Sequence, residues 1–185
     1  IQALSGKPTQ HTFLNNYLGT EHPRYAIDNP TMRALAKPFI KQSPMNERSF
    51  LALLTSLIKG KSFTEKVMAG FLLAYAGKNL WAFNPVIFTR WLPHLQGWAE
   101  VDTLCTGKYA AYAIPRQFNQ WKKVLSTLSK SQQLEERRAS LVLCCSPLRK
   151  QQHDALLNVA FRNILRLKSE KEVMITKAIS WVLRS

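Results

Sequence analysis

The segment GWAEVDTLC, residues 97–105, places a carboxylate four residues after a tryptophan in a chain that is otherwise strongly basic. Positions four apart lie on one face of a helix, so the segment predicts a single, mostly apolar stripe. Its members are Trp98, Asp102, Cys105 and Tyr109. A carboxylate on such a stripe either interacts with the positive end of the helix dipole or does chemistry. Spacing alone favours an interaction of Asp102 with the helix dipole over a catalytic role.

The other reactive side chains form no familiar catalytic or metal-binding site. The histidines have no metal-ligand spacing to each other or to cysteine; they are His11, His22, His94 and His153. None of the seven glycines belongs to a phosphate-binding loop. Cys144 and Cys145 lie in the apolar run ASLVLCCSP, which favours buried packing over nucleophilic chemistry. We therefore expect neither a metal nor a nucleotide cofactor.

Charge is the strongest global feature of the chain. The 26 Lys and Arg against 11 Asp and Glu give a net charge of +15, with a pI near 10.1. Residues 116–168 hold 11 basic residues and three acids, an excess of eight. A solvated basic surface would explain a modest excess, but one of this size favours a polyanionic partner such as nucleic acid.

The composition is that of a soluble globular protein, with 46% hydrophobic residues. The apolar run AGFLLAYAG, residues 69–77, is too short to cross a membrane, and the N-terminus does not resemble a signal peptide. Three cysteines make a poor disulfide framework, which fits a reducing compartment. We expect a cytoplasmic protein, in the bacterial cytosol or nucleoid.

Capping residues ahead of prolines predict helix starts at Asn29-Pro30, Ser43-Pro44, Asn84-Pro85 and Ser146-Pro147, with Pro115 as a further candidate. Capping boxes are predicted at Ser62 with Glu65 and at Ser169 with Glu172. Glycines typical of helix ends are Gly60, Gly77 and Gly97.

Apolar spacings of three and four recur and alternation does not persist, so the chain is predicted to be all-α. The predicted helices are 9–18, 30–40, 45–59, 63–76, 85–93, 98–113, 116–129, 133–145, 148–167 and 170–184. Short loops and a pair period typical of HEAT-like repeats favour a curved solenoid in a single domain, residues 1–185, over an irregular bundle.

Four segments resemble the AlkD-type DNA alkylation repair family, the HEAT-like-repeat DNA glycosylases. They are YLGTEHPRYAIDNPTMRALAK at 17–37, GWAEVDTLC at 97–105, ERRASLVL at 136–143 and KAISWVLRS at 177–185. The resemblance implies a superhelix whose concave basic face binds duplex DNA containing alkylated bases. It also implies an enzyme that removes N3- and N7-alkylated purines. We expect this enzyme to act without a cofactor and as a monomer.

Position by position, Trp98 and Asp102 match the family's tryptophan and catalytic aspartate, and Trp181 matches its second active-site tryptophan. The resemblance implies that Asp102 stabilises the oxocarbenium-like sugar and orients a water, with the tryptophans against the sugar and the cationic base. The family's DNA-contacting arginine is matched by either Arg137 or Arg138.

Two more basic residues, Arg149 and Lys150, are predicted to contact DNA with that arginine. The other tryptophans, Trp81, Trp91 and Trp121, are predicted to be core residues.

Two alternative functions remain. One is a non-catalytic DNA-binding protein, and the other is a scaffold for an acidic protein segment.

Overall fold

The computed structural model describes residues 6–185, which form eleven α-helices and two short 3₁₀ turns. The helices are α1 (Thr12–Leu18), α2 (Asn29–Gln42), α3 (Glu47–Lys59), α4 (Phe63–Tyr75), α5 (Ile87–Trp91), α6 (Gly97–Cys105), α7 (Lys108–Arg116), α8 (Phe118–Leu128), α9 (Leu134–Lys150), α10 (Asp154–Leu167) and α11 (Val173–Leu183). Extended pairing among the described residues is limited to an isolated bridge between Thr9 and Arg24. The prediction of an all-α fold is confirmed.

The helices fall into two compact units. The first unit contains the described residues up to Phe83 together with His94–Leu104, and the second contains Asn84–Pro93 and Cys105–Ser185. The prediction of a single domain over 1–185 stays a prediction.

A side-chain cap begins α4 where the sequence predicted a start. The Ser62 hydroxyl accepts from the Glu65 backbone N–H at 3.2 Å, and the Glu65 carboxylate accepts from the Ser62 backbone N–H at 2.9 Å. This reciprocal pair is the predicted capping box of α4. Helix α2 begins one residue earlier than predicted, because Asp28 rather than Asn29 accepts from the Thr31 N–H.

Other predicted helix boundaries are wrong. Asn46, not Ser43, caps α3. Helix α11 begins after Glu172 without a side-chain cap, so the capping box predicted at Ser169 does not form. Gly97 begins α6 instead of ending the previous helix.

Pro147 does not start a helix but lies inside α9, which continues to Lys150. The Ser146 hydroxyl is not available as a cap, because it accepts from the Gly107 backbone N–H at 2.9 Å. Pro147 and the run from Arg138 to Cys145 are buried, and this burial holds the helix together past the proline.

The helix predicted over 98–113 is two helices separated at Gly107. This glycine has a φ of 93°, which ends α6 and redirects the chain into α7. The stripe of Trp98 and Asp102 therefore ends with α6, and Tyr109 belongs to the next helix. Pro115 lies in the last turn of α7 rather than at the start of α8.

Three tryptophans lie in hydrophobic cores, as predicted. In the first unit the buried Trp81 indole donates to the Leu73 carbonyl at 3.1 Å. In the second unit Trp91 and Trp121 are fully buried around Phe88, whose ring centroid lies 5.3 Å and 5.0 Å from theirs.

In the first unit α4 packs against both α2 and α3. Ten of the thirteen residues of α4 are buried, among them Lys66. The Lys66 ammonium donates to the carbonyls of Ile58 and Gly60 at 2.7 and 2.8 Å, which satisfies backbone groups at the end of α3. Among the described residues, none of the helices combines the length and apolar character needed to span a bilayer.

Candidate active site

The N-terminus of α6 is held by a close backbone contact with the end of α1. Gly97 has a φ of 67°, and a Cβ at this position would overlap the Leu18 carbonyl oxygen and lie 2.6 Å from that of Gly19. Gly19 itself ends α1 with a φ of 70°. Glycine at both positions therefore allows α1 to meet the first turn of α6 directly.

A buried carboxylate in the first turn of α6 was not predicted as a site residue. It connects this turn by hydrogen bonds to the segment after α1. Glu100 is fully buried and accepts from the Thr20 hydroxyl and the Gln96 backbone N–H, each at 2.8 Å. His22 Nδ1 lies 2.9 Å from the same carboxylate. These partners satisfy a charge that would otherwise be costly to bury. Its presence in α6 close to Asp102 was visible, but two of its partners, Thr20 and His22, are about 80 residues away in sequence.

Helix α6 also makes a close contact with α4. A Cβ at Gly70 would lie 2.6 Å from the Thr103 carbonyl oxygen and 2.7 Å from its methyl carbon, so only glycine allows this approach. Glu100 and Thr103 are three positions apart, so they lie on neighbouring parts of the side of α6 that faces the protein. The face that carries Trp98 and Asp102 remains partly exposed.

Trp98 and Asp102 line the same open groove, which has a volume of about 980 Å³. The groove is bounded by α6, by the start of α2 and by the segment between α1 and α2. The structure therefore brings together the two α6 residues that the resemblance assigned to the active site. They share a face because they are one helical turn apart.

The indole of Trp98 has a fixed orientation at the rim of this groove. Its Nε1 donates to the Tyr17 carbonyl at 2.9 Å, and the Tyr17 ring meets it edge-on with centroids 5.6 Å apart. Trp98 is half-buried, unlike the three core tryptophans. Its ring is positioned as a rigid aromatic surface beside Asp102.

A cation and a second carboxylate also line the groove, and neither was predicted as a site residue. The Arg24 guanidinium donates to Asn15 Oδ1 at 3.0 Å and lies 4.3 Å from the centre of the Phe63 ring. Burial lowers the pKa of Arg24, and the Glu100 carboxylate opposes that shift. Asp28 lines the groove while capping α2, and its hydrogen bonds with Thr31 lower the pKa of its carboxyl.

The remaining predicted site residues belong to the second unit. Trp181 lies on α11 and is half-buried, which sets it apart from the buried Trp121. Trp98 and Asp102 are in the first unit, so the expectation that Trp181 joins them in one active site stays a prediction.

The two candidate arginines of α9 have different environments. Arg138 is only 4% exposed, and its guanidinium donates to the Met174 carbonyl on α11. Arg137 pairs with Glu170 at 2.9 Å and donates to the carbonyls of Ser131 and Gln132. Both side chains thus make bonds within the protein, and their contact with DNA stays a prediction.

At the other end of α9, Arg149 and Lys150 are exposed. Their charges are directed to solvent and are accessible to a phosphate backbone. They are the predicted DNA-contacting residues with the most accessible side chains.

The cysteines are buried, as predicted for Cys144 and Cys145. Burial raises the pKa of the Cys144 thiol, with a smaller contribution from Cys145, so the reactive thiolate is disfavoured. Across residues 6–185, no three His, Cys, Asp or Glu side chains are grouped as metal ligands.

Comparison with known proteins points to one family. The family model for DNA alkylation repair enzymes matches residues 3–185. A solved structure described as a predicted DNA alkylation repair enzyme from Enterococcus faecalis superimposes with a TM-score of 0.72 and 18% sequence identity. The match covers 96% of this chain and 83% of that one. This likeness shows the fold and confirms the predicted helical-repeat class. None of the curated proteins compared with the chain matches it significantly.

Proposed function

The chain belongs to the DNA alkylation repair enzyme family, and on that premise we propose that it is a DNA glycosylase for alkylated purines. Its substrates are duplex DNA containing N3- or N7-alkylated, positively charged purines, and its reaction is hydrolysis of the N-glycosidic bond. The observation that carries the proposal is the presence of Asp102 and Trp98 in one open groove, on one face of α6.

The lesion determines what the protein must supply. An N3- or N7-alkylated purine already carries a positive charge, so it leaves as a neutral base and needs little help from a general acid. The deoxyribose left behind develops oxocarbenium character, which a nearby carboxylate stabilises. Asp102 fills this role and orients the water that attacks the sugar.

The aromatic side chains position the substrate. The face of Trp98, held by its bond to the Tyr17 carbonyl, packs against the sugar and the cationic base. Trp181 supplies a second aromatic surface from α11. A fixed indole is suited to this role because it loses little conformational freedom when the substrate binds.

Positive charge holds the DNA backbone. Arg149 and Lys150, with Arg137 or Arg138, contact phosphates, and Arg24 places a further cation at the groove. The net charge of +15 attracts the duplex at long range. Phosphate contacts position the duplex without reading its sequence, which suits an enzyme that recognises damage.

The direct test is incubation of the protein with duplex DNA containing 7-methylguanine, followed by chromatographic detection of the free base. We expect release of 7-methylguanine and an abasic strand that is cleaved by alkali. The same duplex with unmodified guanine is the control, because neutral guanine is a poor leaving group. Tight binding of damaged duplex without any base release would identify a non-catalytic DNA-binding protein instead.

A further inference from the structure

Residues 17–22 and residues 96–100 contact each other at several points, and these contacts are called the α6 clasp below. At one end of the α6 clasp, the Trp98 indole donates to the Tyr17 carbonyl at 2.9 Å. This bond holds the indole at the rim of the groove that also contains Asp102. The orientation of the indole therefore depends on where the α6 clasp places the Tyr17 carbonyl.

A buried carboxylate, Glu100, lies at the other end of the α6 clasp. Its Oε1 accepts from the Thr20 hydroxyl at 2.8 Å and lies 2.9 Å from His22 Nδ1. An ionised carboxylate only accepts hydrogen bonds, so Nδ1 carries the hydrogen. Its Oε2 accepts from the Gln96 backbone N–H at 2.8 Å, and the Gln96 side chain accepts from the Glu21 N–H at 2.9 Å. Glu100 thus joins the segment after α1 to the first turn of α6.

The negative charge of Glu100 also acts on a cation of the groove. Arg24 lies two residues after His22 and lines the groove together with Asp102. Burial lowers the pKa of Arg24, and the Glu100 carboxylate opposes this shift because the two charges attract each other. The carboxylate therefore acts on the groove wall that carries Arg24 as well as on the turn that carries Trp98.

We propose that Glu100 is a positioning residue for the reaction in the groove, an inference that rests on the proposed function. Through the α6 clasp it holds Trp98 and the groove wall in the arrangement around Asp102 that base release requires. Glu100 does not touch the substrate, because it is fully buried. A displacement of about 1 Å at a reacting centre can cost about 10² in rate. Directional hydrogen bonds to a buried carboxylate prevent such a displacement.

The main variant is Glu100→Gln, which keeps the shape of the side chain and removes its charge. The matched control is Glu65→Gln, a carboxylate of the same unit whose hydrogen bonds go to Ser62 at the start of α4. We expect Glu100→Gln to lower the single-turnover rate of 7-methylguanine release by about 10- to 100-fold. Its affinity for undamaged duplex should change little, because the buried carboxylate does not contact DNA. Glu65→Gln should release the base at close to the wild-type rate.

The indole N–H resonances of the tryptophans report on the α6 clasp independently of activity. In protein labelled with ¹⁵N-tryptophan, the Trp98 signal is assigned by its loss in Trp98→Phe. We expect Glu100→Gln to shift this signal and to speed its exchange with water, because the bond to the Tyr17 carbonyl is loosened. The Trp81 indole donates to the Leu73 carbonyl in the same unit and should keep its signal. An unchanged Trp98 signal in the folded variant would overturn the proposal.

His22 provides a second test if Glu100→Gln does not fold, because its side chain is partly exposed. His22→Leu removes the donor to Glu100, whereas His22→Asn places an amide N–H close to the position of Nδ1. We expect His22→Leu to lower the rate and shift the Trp98 signal, and His22→Asn to restore both in large part. Equal effects of the two substitutions would overturn the proposal, since the bond to Glu100 would then not matter.

Release of 7-methylguanine by the wild type is scored first and separately. Its absence would contradict the proposed function, while the Trp98 signal would still show whether Glu100 positions the indole. Wild-type release combined with an unaltered rate in folded Glu100→Gln would leave the proposed function intact and overturn the positioning role. The failure of one proposal is therefore distinguishable from the failure of the other.

Discussion

The backbones of Gly19 and Gly97 meet without room for a side chain between them. A Cβ on Gly19 would lie 3.3 Å from the Gly97 Cα, and a Cβ on Gly97 would lie 2.6 Å from the Gly19 carbonyl oxygen. Both residues have positive φ angles, near 70°. This contact fixes where α6 begins, and with it the position of Trp98 in the next residue.

Gly97→Ala should therefore destabilise the protein and disturb the groove. A positive φ alone costs about 1–2 kcal/mol for an L-residue, and the overlap with the Leu18 carbonyl adds to that cost. The measurement is the free energy of unfolding by urea. Gly107→Ala is the matched control, since Gly107 also has a positive φ but no atom within 4 Å of an added Cβ. Equal losses in both variants would show that the contact with α1 contributes little.

Asp102→Asn should lower the rate of 7-methylguanine release by about 10²–10³, because the shape is kept while the stabilising charge is lost. Binding of undamaged duplex should be retained or slightly tightened, since one repulsion against the phosphates disappears. The control is Asp28→Asn, which removes the other groove carboxylate while asparagine still caps α2. Release at the wild-type rate by Asp102→Asn would contradict a catalytic role for this aspartate.

Trp181→Ala should reduce base release with little loss of stability, because the half-buried ring is proposed to face the substrate. Trp121→Ala should instead cost roughly 3–5 kcal/mol through the cavity that it creates in a fully packed core. Thermal unfolding and single-turnover base release are measured on both variants. Equal destabilisation by the two changes would place Trp181 in the core.

Arg138→Ala should lower the free energy of unfolding by about 1–3 kcal/mol, because the Met174 carbonyl loses its donor. Arg149→Ala/Lys150→Ala should leave stability unchanged and weaken binding to duplexes of any sequence alike. Urea unfolding and anisotropy separate the two effects. If Arg138→Ala weakened binding at unchanged stability, Arg138 would be the family's DNA-contacting arginine.

The buried Lys66 should make stability depend on pH in the alkaline range. Burial lowers the pKa of its ammonium below the ordinary 10.5, although the carboxylates of Glu100 and Glu65 partly oppose this. Between the folded-state pKa and 10.5 the unfolded chain holds the additional proton, so this contribution to the free energy of unfolding rises with pH.

Lys66→Met removes that contribution. The free energy of unfolding of the wild type relative to Lys66→Met should therefore increase as pH rises toward 10.5. Urea denaturation at a series of pH values measures this difference, and the other titrating groups are common to both proteins. A difference that decreases with pH would mean that the folded protein raises the pKa of Lys66.

The amino-acid sequence was sufficient to predict features that depend on neighbouring residues. Periodic apolar spacing predicted an all-α protein, and the reciprocal bonds of Ser62 and Glu65 could be inferred from four consecutive positions. The shared face of Trp98 and Asp102 follows from helical geometry alone. The burial of Trp121 was predicted from residue type, since a large apolar ring is most stable away from water.

Only the tertiary structure decided features that depend on residues distant in the chain. Gly97 looked like a helix end, but the carbonyls at the end of α1 make it the start of α6. Pro147 looked like a helix start, yet Ser146 bonds to Gly107 and burial continues α9 past it. Glu100 carried no local signal, because the partners that stabilise its buried charge come mainly from the segment after α1. Local propensities of about 1 kcal/mol or less are outweighed by such long-range packing and hydrogen bonds, which no short stretch of sequence contains.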